Sequence, residues 1–229
     1  MTIRLVQGEV DTKDVSTRVV LPTAAQPRWP PFERVAETIA TPRRPFPPHR
    51  HEKSEVLTYV IEGSAFYAFA SGAPEPLGPG STKLLTASTG VSHSINPAKG
   101  QTVRWFSIVA SLPPDGAFSP RLQSGSPPDS PVQPDGTVLQ QLIGPRSTIS
   151  SAAGLECEAI RFTDEGTAFR RVGHDRVAIV YALTGPGTID NEPLDAGEAA
   201  LVDAAAGMSL QGEPGFHVIF STAPRPQKI

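Results

Sequence analysis

One stretch of sequence occurs twice in this chain, and this repeat constrains the fold more than any other feature. Residues 76–93 read PLGPGSTKLLTASTGVSH, and residues 193–210 read PLDAGEAALVDAAAGMSL. In a gap-free alignment the matched residues are Pro76, Leu77, Gly80, Leu84, Ala87, Gly90 and Ser92 with Pro193, Leu194, Gly197, Leu201, Ala204, Gly207 and Ser209. The stretches before them, VLTYVIEG at 56–63 and AIVYALTG at 178–185, also resemble each other. The chain therefore contains two copies of one structural unit.

The apolar runs in both copies are short, rich in β-branched and aromatic residues, and bounded by Gly or Pro, which is typical of strands. The predicted strands lie at 56–61, 65–70, 82–87, 103–110, 155–162, 177–183, 199–203 and 216–221. Two similar sets of short strands predict an all-β fold of two tandem jelly-roll barrels. We place the first barrel at 1–118, a linker rich in Pro, Ser and Gly at 119–134, and the second barrel at 135–229.

Composition narrows the functional classes. Apolar residues make up 38% and charged residues 19% of the chain, as in ordinary globular proteins, and the net charge of -3 predicts no direct binding to nucleic acid or to an anionic membrane. A charged N-terminus and the lack of a long apolar run lead us to expect a cytoplasmic protein, either monomer or homodimer. Cys157 is the single cysteine, and its neighbours Glu156 and Glu158 predict an unreactive thiol.

Histidines provide the candidate site. His49 and His51 are two residues apart, so on a strand both imidazoles point to one face. Glu55 has the same parity and lines that face if the strand continues without a bulge. His93 follows Gly90 at the end of the repeat, where a barrel can bring it close to the other two. Three neutral imidazoles and a carboxylate can hold a divalent transition metal.

Simpler interpretations remain open for these residues. PPHRHEK could form an exposed polar turn, with His93 buried in the core, and we expect structural roles for His174 and His217. The repeat serves as an internal control, because it matches His93 with Leu210. Aligning Gly63 with Gly185 matches His49, His51 and Glu55 with Arg171, Gly173 and Val177. The second barrel is therefore predicted to lack metal ligands.

Several segments resemble the pirins, a family of the cupin superfamily. PPHRHEKSEVLTYVIEG is similar to the pirin segment His-Pro-His-Arg-Gly-Phe-Glu-Thr-Val-Thr-Tyr-Val-Leu-Glu-Gly, and TASTGVSHS is similar to Thr-Ala-Gly-x-Gly-x-x-His-Ser. VRWFSIVASLP and AFSPRLQ resemble the segments that close the pirin N-terminal barrel. The resemblance is clear over about residues 45–123. The second half resembles the family mainly in the order of its strands and turns.

The resemblance implies two cupin barrels, with one metal, usually iron, held in the first barrel by His49, His51 and His93. Pirins take a fourth ligand from a Glu two residues after the last His, where this chain has Ile95. Glu55 stands where general cupins carry their ligand Glu, so it is the candidate fourth ligand. Nickel, copper, manganese and zinc are alternatives to iron. Lys53 and Ser54 replace Gly and Phe of the pirin motif, which alters the mouth of the pocket.

Three functions are consistent with this sequence. The first is a metal-dependent dioxygenase acting on a flavonol-like (quercetin-type) small molecule, with Glu55 as general base if it does not bind the metal tightly. The second is a non-enzymatic, metal-dependent regulator that acts through a protein partner. The third is a cupin that binds a small molecule without a metal.

Overall fold

The computed structural model describes residues 2–11, 16–70, 72–203 and 207–226, and these residues form strands and turns without a helix. In chain order the strands are β1 (Thr2–Gln7), β2 (Glu9–Asp11), β3 (Ser16–Leu21), β4 (Phe32–Ala40), β5 (Phe46–His51), β6 (Ser54–Glu62), β7 (Ala65–Phe69), β8 (Glu75–Leu77), β9 (Thr82–Thr86), β10 (Val91–Pro97), β11 (Val103–Ser111), β12 (Arg121–Gly125), β13 (Thr137–Ile143), β14 (Glu156–Phe162), β15 (Gly166–Arg171), β16 (Arg176–Thr184), β17 (Gly187–Ile189), β18 (Glu192–Leu194), β19 (Glu198–Asp203), β20 (Gly207–Gly212) and β21 (His217–Pro224). The predicted all-β cupin fold is confirmed. In the described part of the chain, no helix has the length and apolar character needed to span a bilayer.

The chain divides into two compact units. The first barrel comprises residues 9–126 with 151–153, and the second comprises the described residues of 1–8, 127–150 and 154–229. In the first barrel, one sheet has the strand order β12-β9-β6-β11-β4-β3-β2 and the other β5-β10-β7-β8. In the second barrel, the orders are β1-β19-β16-β21-β14-β13 and β15-β20-β17-β18. Both barrels therefore repeat one arrangement of a large and a small antiparallel sheet.

The predicted strands coincide with β6, β7, β9, β11, β14, β16, β19 and β21, with small differences at their ends. The turn glycines of the repeat also have a physical explanation. Gly80 (φ 79°) and Gly197 (φ 86°) precede β9 and β19, and both lie in the left-handed region that suits glycine. Ala204, matched with Ala87 in the repeat, lies outside the described residues.

Apolar residues fill the interior of each barrel. In the first, buried aromatic and aliphatic side chains such as Tyr67, Ile95 and Trp105 form one cluster. In the second, a larger cluster includes Phe162, Val180 and Phe216. Burial of this apolar surface is the main force that holds each pair of sheets together.

Two strands belong to a different part of the fold from the one that the sequence predicts. β1 belongs to the second barrel, where it pairs with β19, although residues 1–118 are predicted as the first. β12 lies within the predicted linker, yet it pairs with β9 of the first barrel. β12 and β1 occupy equivalent edge positions in the two large sheets. β12 therefore satisfies the backbone hydrogen bonds at the edge of β9, and β1 does the same for β19. The composition of these segments does not reveal this pairing.

Candidate metal centre

Strand pairing brings three histidines of the first barrel together. His49 and His51 lie on β5, and His93 lies opposite His49 on the neighbouring strand β10. Their potential ligand nitrogens all lie within 4.8 Å of one another. The ring centroids are 4.3 Å apart for His49 and His93, 4.8 Å for His49 and His51, and 5.1 Å for His51 and His93. The three predicted histidines therefore converge on one point.

The ring nitrogens of this cluster are suited to a metal ion. Nε2 of His51 and both ring nitrogens of His93 are buried, and the described protein atoms give them no hydrogen-bond partner. Nδ1 of His49 donates a hydrogen bond to the carbonyl oxygen of Pro47 at 3.0 Å, which leaves Nε2 available as a ligand. Buried polar atoms without partners are costly, and a metal at the centre would satisfy Nε2 of His51 and one of the two ring nitrogens of His93. The residues present fit a divalent transition metal.

Burial keeps these imidazoles neutral. It lowers the pKa of His51 to about 4 and that of His93 to about 3, and it also lowers the pKa of His49. The neighbouring imidazoles add to the effect at His51 and His93, and the positive charge of Arg34 adds to it at His49 and His51. Neutral imidazole is the form that binds metals, so the cluster is ready to bind at neutral pH.

Glu55 does not join the histidines. Its side chain, only 1% exposed, accepts hydrogen bonds from the Thr86 hydroxyl at 2.8 Å, from the Ser151 hydroxyl, and from the backbone N–H groups of Ala152 at 3.1 Å and Ala153 at 3.0 Å. These four bonds occupy both carboxylate oxygens. The structure therefore gives Glu55 a role in holding the 151–153 segment, in place of the expected role as ligand or base.

The reason is local backbone geometry. β5 ends at His51, and Lys53 adopts a left-handed conformation (φ 52°) before β6 begins at Ser54. The strand therefore does not continue unbroken from His51 to Glu55, and the parity argument fails at this turn. The 151–153 segment that binds Glu55 lies far along the chain, and no sequence signal linked the two.

The fourth position of the site is apolar. Ile95, where the pirin motif has its ligand Glu, is 1% exposed and packs with Tyr67 and Trp105. The Tyr67 ring lies 5.1 Å from the His93 ring, and its hydroxyl is also buried without a partner among the described protein atoms. The three histidines would thus offer a metal three neutral nitrogens beside an apolar wall.

Arg50, which the sequence reasoning did not single out, supports the cluster. Its guanidinium donates a hydrogen bond to the carbonyl oxygen of Thr89 at 3.0 Å. It also lies where a Cβ on Gly90 would be, only 1.9 Å away from that point, and Gly90 has a φ of 109°. The contact ties β5 to the turn before β10, so it helps to align His51 with His93. In the sequence, the residues of this contact are the arginine of His49-Arg50-His51 and the pair Thr89-Gly90.

The other candidate residues lie away from the cluster. His174 is exposed and His217 is partly buried, and neither joins a group of possible metal ligands among the described residues. Cys157 is buried, which raises its thiol pKa to about 12, and the Ser221 hydroxyl lies 3.0 Å from its sulfur. Such a thiol is unreactive, in agreement with the sequence analysis.

Cross-strand pairing corrects the alignment of the second barrel. His93 lies opposite His49, and its repeat equivalent Leu210 lies opposite Ala168. The positions equivalent to His49, His51 and His93 are therefore Ala168, Arg170 and Leu210.

The alignment of Gly63 with Gly185, which matched His49 and His51 with Arg171 and Gly173, is wrong at these two positions. The connection from β15 to β16 is longer than that from β5 to β6, which shifts the register. Glu55 and Val177 still match, because they occupy equivalent places in β6 and β16. The aligned positions still carry no imidazole or carboxylate.

Comparison with known proteins finds similarity to the pirins. The model of the Pirin family matches residues 5–108. The chain is 29% identical over 161 residues to a pirin-like protein of Caulobacter vibrioides, covering 66% of this chain and 58% of that protein. It is 30% identical over 79 residues to quercetin 2,3-dioxygenase of Escherichia coli, covering 34% of each. These matches therefore span less than two thirds of either relative.

Similarity to a solved structure extends over almost the whole chain. The structure of bacterial pirin YhhW from Escherichia coli in complex with nickel(II) superposes with a TM-score of 0.81, at 18% identity, covering 98% of this chain and 100% of that one. At this level of identity, the likeness establishes a shared fold.

Proposed function

Because the chain is a pirin-like cupin, we propose that it is a metal-dependent dioxygenase of flavonol-like substrates. The observation that supports this is the convergence of His49, His51 and His93, in which Nε2 of His51 and the ring nitrogens of His93 are buried without a partner among the described protein atoms. The name of the Escherichia coli relative, quercetin 2,3-dioxygenase, supports the choice of substrate class.

In this proposal, the three imidazoles hold one divalent transition metal. The hydrogen bond from His49 to the Pro47 carbonyl fixes the orientation of that ring. When bound, such a metal would supply Lewis acidity toward an enol oxygen and redox chemistry toward dioxygen. Ile95 contributes no charge to the site, so a negatively charged substrate oxygen would supply the missing anion.

The chain's own residues set the environment of the substrate. Phe46 packs edge-on against His49, with ring centroids 4.6 Å apart, and the apolar cluster of Ile95 and Trp105 excludes water on that side. With Glu55 engaged elsewhere, we propose that the substrate proton leaves to solvent.

The donor set also bears on the identity of the metal. Imidazole ligands suit zinc, copper and nickel, whereas two histidines with one carboxylate are typical of non-haem iron(II), so the lack of a carboxylate ligand here favours nickel, copper or zinc over iron(II). We therefore propose that iron, expected from the pirin resemblance, is held less firmly here than in a site with a carboxylate ligand.

Oxygen uptake with quercetin tests this function. We expect metal-loaded protein to consume oxygen as quercetin disappears, and H49A/H51A to do neither. H174A/H217A is the matched control, because it removes two histidines outside the cluster, and we expect it to retain activity. Stoichiometric metal without oxygen uptake in any metal form would contradict the dioxygenase and favour the metal-dependent regulator.

A further inference from the structure

A tyrosine beside the histidine cluster has a buried hydroxyl that the protein does not satisfy. Tyr67, on β7, is only 1% exposed, and its ring centroid lies 5.1 Å from that of His93, with the two planes 34° apart. Its hydroxyl makes no hydrogen bond to the described protein atoms. Buried tyrosine hydroxyls usually have a partner, so an acceptor that is not part of the protein is expected here.

Strand pairing places Tyr67 in the wall of the metal centre. On β10, His93 pairs with Phe69 and Ile95 pairs with Tyr67, which makes Tyr67 the diagonal neighbour of His93. Aromatic side chains are long enough to reach across such a diagonal. On the other side of β10, His93 pairs with His49. The phenol and the histidines therefore line one face of the small sheet.

The strands on either side of Tyr67 offer its hydroxyl no acceptor. Ile95, opposite it on β10, is apolar. Glu75, opposite it on β8, is engaged by the ammonium of Lys83 and by the Ser124 hydroxyl at 3.1 Å. The buried cluster around the ring is apolar and aromatic. Among the described residues, the O–H of Tyr67 is thus left able to donate to a bound molecule.

The second barrel provides an internal comparison for this position. Tyr67 pairs with the residue two after His93, and Gly187 pairs with the residue two after Leu210. Since Leu210 matches His93, Gly187 matches Tyr67. A Cβ on Gly187 would lie 2.3 Å from the buried ring of Phe216. The barrel with the histidines therefore has a phenol where the barrel without them has an apolar ring.

We propose that Tyr67 is a substrate-binding residue whose hydroxyl donates a hydrogen bond to the enolate oxygen of a flavonol-like substrate. This inference rests on the proposed function, in which that oxygen binds at the metal held by the three histidines. A hydrogen bond to a charged acceptor is roughly twice as strong as one between neutral groups, and more so beside an apolar wall such as that of Ile95. Tyr67 would thereby favour substrate bound as its anion.

The proposal predicts a selectivity among ligands of the metal. The coordinating nitrogen of azide keeps a lone pair that can accept a hydrogen bond, as does an enolate oxygen. Imidazole uses its one available lone pair to bind the metal and accepts no further bond. Binding of azide should therefore depend on the Tyr67 hydroxyl, and binding of imidazole should not.

Titration of cobalt(II)-loaded protein with sodium azide and with imidazole, followed by cobalt d–d absorption, tests this selectivity. We expect Y67F to bind cobalt as wild type does, to bind azide about tenfold more weakly, and to bind imidazole equally tightly. Quercetin, titrated in the absence of oxygen, should show the same loss as azide. Equal azide affinity in wild type and Y67F would overturn the proposal.

Y67F is a suitable variant because it keeps the ring that packs against His93. Removing an unsatisfied buried hydroxyl costs no hydrogen bond, so we expect metal-free Y67F to be at least as stable as wild type to heat. Loss of cobalt from folded Y67F would make Tyr67 a metal ligand and overturn its role as a donor.

Y59F is the matched control. Tyr59 is another buried tyrosine of the first barrel, but it adjoins Val60 on β6, and Val60 packs in the cluster with Tyr67. Since alternate side chains of a strand point to opposite faces, Tyr59 faces away from that cluster. We expect Y59F to bind azide as wild type does. Equal weakening in Y59F and Y67F would contradict a specific donor at Tyr67.

The same titrations separate this inference from the metal centre. Wild type that binds no cobalt would overturn the proposed function and the role of Tyr67 together. Wild type that binds cobalt, and binds azide no better than Y67F, would overturn the role of Tyr67 alone and leave the metal centre in place.

Discussion

His93 lies directly opposite His49 in the antiparallel pairing of β10 with β5, with the two ring centroids 4.3 Å apart. Two residues distant in sequence therefore share one site only when this strand pair has formed. A metal held by both binds the folded state much better than the unfolded chain, so metal binding and folding of the first barrel are thermodynamically linked.

Added metal should therefore stabilise the protein. At a free concentration one hundred times the dissociation constant, a one-site ligand contributes about 2.7 kcal/mol to the free energy of unfolding. We expect nickel(II) to raise the unfolding temperature of EDTA-treated wild type and not that of H49A/H51A. An equal shift in both proteins would show that the stabilising metal binds elsewhere.

Replacing Glu55 should affect stability and not metal content. The amide of E55Q cannot accept the same four hydrogen bonds, so we expect a loss of about 1–3 kcal/mol in the free energy of unfolding. E52Q is the matched control, because Glu52 is exposed and adjoins the same turn. Chemical denaturation and metal analysis check both. Loss of metal from folded E55Q would contradict this structural role and indicate that Glu55 is a metal ligand.

Introducing a carboxylate at position 95, where the pirin motif has Glu, should change the metal preference of the site. In I95E without metal, the buried charge should cost on the order of 3 kcal/mol of stability, because Ile95 lies in an apolar cluster. With iron(II) bound, the carboxylate supplies an anionic ligand, so iron affinity should exceed that of wild type. I95Q disturbs the same packing without the charge, and an equal gain of iron affinity in I95Q would contradict this explanation.

The metal-free protein should lose stability as the pH falls. The pKa of His93 is lowered to about 3 and that of His51 to about 4, so below their ordinary value of 6.5 the unfolded chain binds more protons. The favourable contribution is fully present above about pH 6.5, declines below it, and is fully lost near pH 3. For the deeply buried His93 the loss is on the order of a few kcal/mol.

Urea unfolding of EDTA-treated protein at about pH 7 and about pH 4.5 measures this effect. We expect the free energy of unfolding to fall less between these two pH values in H93Q than in wild type. H174Q, at an exposed histidine outside the cluster, should behave as wild type. The same pH dependence in H93Q and wild type would contradict the assignment to His93.

Much of the fold could be predicted because it depends on local patterns. Short β-rich runs with turn glycines such as Gly80 and Gly197 recur in both halves, and parity placed His49 and His51 on one face. These signals are periodic, so they need no knowledge of distant contacts. His93 could be added because the repeat located it at the end of a strand.

The parts that could not be predicted depend on contacts between distant segments. The edge strands β1 and β12 lie outside the repeated segments, so their pairing with β19 and β9 is visible only in the structure. The engagement of Glu55 by residues 151–153 and the left-handed turn at Lys53 are also non-periodic features. The connection between β15 and β16 is longer than that between β5 and β6, so the sequence alignment did not match Arg170 with His51.

Metal content tests the central claim most directly. Protein purified without an affinity metal column should contain about one equivalent of a divalent transition metal by mass spectrometry, and H49A/H51A should contain none. The control H174A/H217A should keep the metal. Metal-free wild type that takes up no iron, nickel, copper, manganese or zinc when these are added back would contradict a metal centre at His49, His51 and His93.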